Sequence, residues 1–246
     1  MNEQSNAPMS AGPAEPAGFA GWFSTWITAV TKPNEQTFAT MAGHPDAQSN
    51  SRAFTWVFLA GTVSALISGV FQAILQLAGF VPQTPGLSDL FGGDAQRGVG
   101  FTLGVSICSA PIAGVLGMLF FAISVGIVQW VAKMFKGTGT FSQLAYTMAA
   151  VSVPFTIISS FLTPFSGVPI LGICTGLLSL VLVIYAVVLE VMAVKGVNKF
   201  GWGEAAGSVI LPGLILACCA VVVIATITIL GARVADTFNS ISNSLT

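Results

Sequence analysis

Charge is what this sequence has least of. Only 7% of its 246 residues are Asp, Glu, Lys or Arg, against 54% that are hydrophobic. A soluble domain carries about 25% charged residues. A chain with so few cannot cover a water-facing surface, so much of its exterior must face lipid. The net charge of −1 provides no basic field, which argues against nucleic acid as a partner. The sole histidine, His44, lies in a polar segment with no marked nucleophile beside it, so a Ser–His–Asp triad is not expected. Cys108, Cys174, Cys218 and Cys219 sit in apolar runs without His or carboxylate neighbours at metal-ligand spacing. They read as small apolar filler at helix contacts rather than as a disulfide framework. No Asp falls within an apolar run, so hydrolysis by paired intramembrane aspartates is not expected. Gly137-Thr-Gly139 opens a helix as a phosphate loop would, but the distal Gly-Lys-Ser/Thr is missing. It reads as a tight turn and helix cap. The sequence therefore predicts a non-enzymatic chain with no catalytic residues, no cofactor and no metal.

What is present is long apolar segments. Residues 1–17, with Pro8, Pro13 and Pro16, read as a disordered tail. They lack the cationic start and apolar core of a cleaved signal, so the first span is expected to direct insertion. Residues 18–52 read as a short helix followed by a polar linker. Phe19, Trp22, Phe23, Trp26, Ile27 and Val30 fall on one helical face. That segment is too short to cross a bilayer, so it either lies in the interface, as its tryptophans favour, or packs on the bundle. Pro33 ends it, and Phe38 and Met41 are the expected anchors of the linker. Five spans then fill residues 53–232, at 53–81, 99–132, 141–162, 169–194 and 204–232. The second would be about 51 Å long as one helix, so it either kinks at Pro111 or enters the membrane near there. Residues 82–98 read as a Pro/Gly loop. Thr140 and Gln143 have capping-box spacing, and Gly137 suits the φ > 0 position past a helix end. Pro154 lies inside span three, where Ser152 or Thr156 is expected to meet the carbonyl it frees. Gly100-xxx-Gly104, Gly172-xxx-Gly176 and Gly203-xxx-Gly207 are candidate helix-contact pairs. Residues 233–246 form a polar tail. The fold class is all-α: a polytopic membrane protein of five transmembrane helices and an N-terminal amphipathic interfacial helix.

Lys32, Arg52, Lys133, Lys136, Lys195 and Lys199 fall on one side of this arrangement, and Arg97 and Arg233 on the other. The positive-inside rule then places the N-terminus in the cytoplasm and the C-terminus outside. Glu190 is the only ionisable residue within a span. An intramembrane carboxylate is a functional candidate by default. It is either a proton or cation site, or an interfacial group that snorkels or pairs with Lys133, Lys136 or Lys195. The candidate functional residues are Glu190, Pro154, Tyr146, Lys133 and Lys136.

Several of these features carry a family resemblance. Trp26, Lys32-Pro33, Phe38 and Met41, the turn Gly137-Thr-Gly-Thr-Phe-Ser-Gln, and Tyr146 with Pro154 resemble the Yip1-domain membrane family over about residues 19–232. The short turn between spans three and four and the basic loop 195–203 fit it as well. The resemblance implies five spans and a cytoplasmic N-terminus. In eukaryotic members it implies vesicle trafficking with small GTPases, and in bacterial members no assigned role. The short, nearly uncharged N-terminal tail departs from the acidic region of GTPase-facing members. It points to a bacterial plasma-membrane protein. The family brings no catalytic residues to this chain. Two functions follow as expectations. One is a membrane scaffold that binds other membrane proteins or itself within the lipid bilayer. The other is a small-solute or ion transporter or channel, motivated by Pro111, Pro154, Pro212 and Glu190.

Overall fold

A computed structural model describes residues 18–80, 99–168 and 170–244. The expected disordered tail 1–17 and the loop 82–98 with Arg97 lie outside those residues. The described chain is all-helical. In order it contains α1 (Phe19–Thr31), α2 (Glu35–Ala42), a 3₁₀ turn (Pro45–Gln48), α3 (Asn50–Leu77), α4 (Val99–Met134), α5 (Phe141–Leu162), a second 3₁₀ turn (Thr163–Gly167), α6 (Leu171–Asn198) and α7 (Trp202–Ser244). Among the described residues, four segments are long and apolar enough to cross a membrane: Asn50–Leu77, Val99–Met134, Phe141–Gly167 and Leu171–Asn198. The fifth expected span falls in α7, which carries Glu204 in its first turn and continues to Ser244. The segment expected as a polar tail is thus helical for most of its length.

Local chemistry sets the ends of these helices. The Thr140 hydroxyl accepts from the Gln143 N–H at 3.3 Å, and the Gln143 side chain accepts from the Thr140 N–H at 3.0 Å. This capping box satisfies two otherwise orphaned donors. Asn34 Oδ1 accepts from Thr37 N at 2.7 Å and starts α2. The linker expected at 32–52 is therefore largely helical. Its anchors are as expected, with Phe38 fully buried and Met41 packed on the core. α4 runs through Pro111 without a break. At 36 residues it is about 54 Å long.

The core lies toward one end of the bundle. α5 is its axis, packing on α1, α2, α3, α4 and α6, and every residue from Leu144 to Val151 is buried. Trp56, Val125, Tyr146, Leu189 and Val194 complete that end. Toward the other end the helices turn Leu, Ile, Val and Phe outward, as hydrocarbon-facing surfaces do. Between α3 and α4 the approach is close. A Cβ on Gly61 would lie 3.1 Å from Gly114 Cα, and one on Gly114 would lie 2.8 Å from Phe58 O. Gly69 meets Ser106 on the same seam.

Two expectations about packing are corrected here. Gly100, Gly104, Gly176 and Gly203 have no neighbour within 4 Å of a built Cβ, whereas Gly172 meets Ser166 O of the preceding 3₁₀ turn at 2.5 Å and Gly207 meets the Phe135 ring at 3.6 Å, so no GxxxG pair makes its contact through both glycines. Such a pair marks a face able to approach closely, but neighbours decide whether anything approaches it. Cys108, Cys174 and Cys218 are free and exposed rather than filling helix contacts, which a membrane surface tolerates because thiols are nearly apolar.

Candidate functional site

The functional candidates named from the sequence divide between two places. Glu190 and the Pro154 region meet at a cavity. Lys133, Lys136 and Tyr146 belong to the basic end of the bundle.

The cavity lies among α3, α4, α5 and α6 and has a volume of about 550 Å³. Ser152, Thr156 and Ser159 of α5 and Thr163 just past its end line it at spacings of four, three and four, so they form one stripe. Ser64 and Ser68 face them from α3, and Glu190 from α6. Thr156, Ser159 and Thr163 are exposed. Several hydroxyls spend their protons on nearby carbonyls. Ser64 Oγ donates to Thr156 O at 3.3 Å and Ser68 Oγ to Ser160 O at 3.2 Å, bridging α3 to α5. Thr156 Oγ1 donates to Ser152 O at 2.9 Å. That hydroxyl therefore does not serve Ala150 O, the carbonyl that loses its helical donor at Pro154. Glu190 is partly buried, and among the described residues it forms no ion pair. Two of the lysines expected to pair with it are engaged elsewhere. Lys195 Nζ pairs with Glu35 and lies 4.6 Å from the Trp202 ring centroid. Lys133 Nζ donates to Gly137 O at 3.1 Å.

The basic end is built by α1, α2 and the first 3₁₀ turn folding onto α5 and α6. Trp22 and Trp26 meet Trp56 edge-on at 6.1 and 5.7 Å. Tyr146 lies 5.1 Å from Trp56 and stacks parallel on His44 at 6.2 Å. Tyr146 is therefore a core residue that seats the cap. The linker histidine is part of that packing, with its Nδ1 accepting from Asp46 N at 3.3 Å. On α1 the apolar face expected from the sequence splits. Trp22, Trp26 and Val30 pack inward, whereas Phe19, Phe23 and Ile27 are exposed. Tyr185 Oη holds the end of α1 by donating to Val30 O at 2.6 Å.

The turn after α4 departs from expectation in one respect. Lys136, not Gly137, adopts the left-handed conformation, with φ 65°. Gly137 N–H donates to Ala132 O at 2.9 Å and Lys136 N–H to Lys133 O at 3.0 Å. This is a Schellman closure with lysine at its left-handed position. Gly137 is required for space: a Cβ there would lie 2.5 Å from Asn198 Oδ1 and 2.9 Å from Phe200 Cε1. The turn docks on the end of α6, where Thr138 N donates to Asn198 O at 3.2 Å. Gln129 Nε2 donates to Gly139 O at 2.7 Å from the other side. Gln129, Asn198 and Glu35 are contributors that residue-by-residue reading missed. Each is an ordinary polar residue near a helix end, and only the docking of two distant turns gives it a partner.

The Yip1 domain, as a family model, matches residues 27–224, from the end of α1 to the middle of α7. The chain belongs to the Yip1-domain family. The matched region contains both the cavity and nearly all of the basic end. Four apolar helices of this Yip1-domain protein are able to cross a membrane, and it is a membrane protein. Neither the curated proteins nor the solved structures offer a match to it.

Proposed function

We propose that this Yip1-domain protein is a non-enzymatic scaffold that holds a partner membrane protein by receiving one of its transmembrane helices in the α3–α5–α6 cavity. The observation that supports this is the exposed hydroxyl stripe Thr156, Ser159 and Thr163 beside Ser64, Ser68 and Glu190. At membrane depth, lipid offers these groups no hydrogen-bond partner. Small and hydroxyl-bearing faces are how transmembrane helices approach one another. Gly61, Ala65 and Ala113 line the same cavity and leave room for a helix backbone. The fitting occupant is a helix with a small-residue face and a hydrogen-bond donor opposite Glu190.

The same reading makes α7 the fifth span, with the N-terminus cytoplasmic. It lays α1 in the interface with Phe19, Phe23 and Ile27 in lipid.

The test is a photo-crosslinker placed at Ser159 in native membranes, with one at exposed Leu177 as the control. The scaffold reading expects a discrete protein adduct from Ser159, weakened by Ser152→Leu. Adducts to lipid alone would overturn it. So would solute flux in reconstituted vesicles that Glu190→Gln abolishes, because that would establish transport instead.

A further inference from the structure

The two turns at the basic end carry a feature that neither topology nor the cavity requires. Lys136 and Lys199 are both left-handed, with φ 65° and 56°. Both occupy the position just past a long helix, where glycine is the usual residue. Both are exposed. Their turns are joined, since Thr138 N and Oγ1 both donate to Asn198 O, at 3.2 and 3.3 Å. A cytoplasmic positive charge could sit anywhere in these loops without adopting a disfavoured backbone. Two strained lysines in adjoining turns mark a site where ammonium placement matters.

The surroundings define the ligand. Lys133 is exposed one turn before Lys136. The nearby carboxylates are Glu35, which Lys195 engages, and Glu204, which folds over Gly201. Among the described residues Lys136 and Lys199 have no carboxylate partner. Trp130, Met134 and Trp202 flank the turns and are exposed by 66%, 66% and 54%. Exposed tryptophan beside exposed lysine is the chemistry of the headgroup layer, with rings among the upper acyl chains and ammonium groups at phosphate level.

We propose that Lys136 and Lys199, with Lys133 beside them, form a binding site for the phosphate of an anionic phospholipid headgroup. Trp130 and Trp202 face the acyl chains of that lipid. The joined turns fix the two backbone positions that carry these ammonium groups, so the backbone strain is retained for binding.

The test uses full-length protein in neutral detergent micelles, titrated with phosphatidylglycerol or phosphatidylcholine and followed by thermal unfolding and lipid-retention mass spectrometry. Lys136→Gly and Lys199→Gly are the informative variants, because glycine removes the charge while suiting the backbone. A merely structural role predicts that these variants are no worse in either lipid. The proposal expects phosphatidylglycerol to raise the unfolding midpoint where phosphatidylcholine does not. It expects each substitution to weaken phosphatidylglycerol retention about fivefold, the worth of one cation near the membrane surface, and the pair about 25-fold. Arginine at both positions should restore retention, and Lys32→Gly should leave it unchanged. Equal response to the two lipids, or retention unchanged in the double variant, would overturn the site.

Discussion

At the residue scale, Lys136 and Gly137 separate two reasons for glycine that a sequence cannot tell apart. Gly137 is needed for space and Lys136 tolerates the unusual φ. Gly137→Ala should therefore destabilise the protein by about 1–3 kcal/mol, the usual cost of overpacking, seen as a lower unfolding midpoint in detergent. Lys136→Gly, measured without anionic lipid, should be neutral or stabilising by up to about 1 kcal/mol, because it relieves a left-handed L-residue. If the two substitutions gave the reverse order, the assignment of strain and space would be wrong. Gly114 makes the same point on the α3–α4 seam. Gly114→Val would push Cβ toward Phe58 O, 2.8 Å away, and should also cost about 1–3 kcal/mol. Gly104→Val, with no neighbour within 4 Å, should cost under about 0.5 kcal/mol by the same thermal assay.

At the element scale, α2 is held to α6 by two kinds of contact. Gly196 lets the Glu35 carbonyl and Phe38 approach, with a built Cβ 2.8 and 2.9 Å from them. Lys195 pairs with Glu35 above that contact. Phe38 is fully buried and Glu35 is half exposed, so packing rather than charge secures the element. A double-mutant cycle on Glu35→Gln and Lys195→Met should give a coupling of about 0.5 kcal/mol that shrinks with added salt. Phe38→Ala should cost about 3–5 kcal/mol. A coupling larger than the Phe38 effect would reverse that ranking. The Thr140–Gln143 capping box was legible from spacing because both partners lie within one turn. The Glu35–Lys195 pair was not, because 160 residues separate them and nothing local selects one carboxylate over another.

At the scale of the whole molecule, Lys32, Lys133, Lys136, Lys195 and Lys199 lie at the ends of α1, α4 and α6, and Arg52 lies at the start of α3. Docking of the cap and of the two turns gathers these ends at one end of the bundle. The proposed orientation predicts that a reporter inserted between Thr138 and Gly139 reads cytoplasmic and one fused after Thr246 reads external. Both on one side would remove α7 as a span.

The sequence by itself determined that the chain is helical and lives in lipid, because scarcity of charge and length of apolar run are sums over many residues that no neighbour can reverse. It also determined the start of α5, which rests on hydrogen bonds between residues three apart, and family membership. Tertiary structure alone decided which small residues touch. The seam formed at Gly61, Gly69 and Gly114, not at the regularly spaced glycine pairs. Tertiary structure also placed Glu190 beside a serine–threonine stripe instead of a lysine. Both outcomes depend on the rotation of one helix against another, which is set by the packing of whole faces and leaves no mark on any single residue.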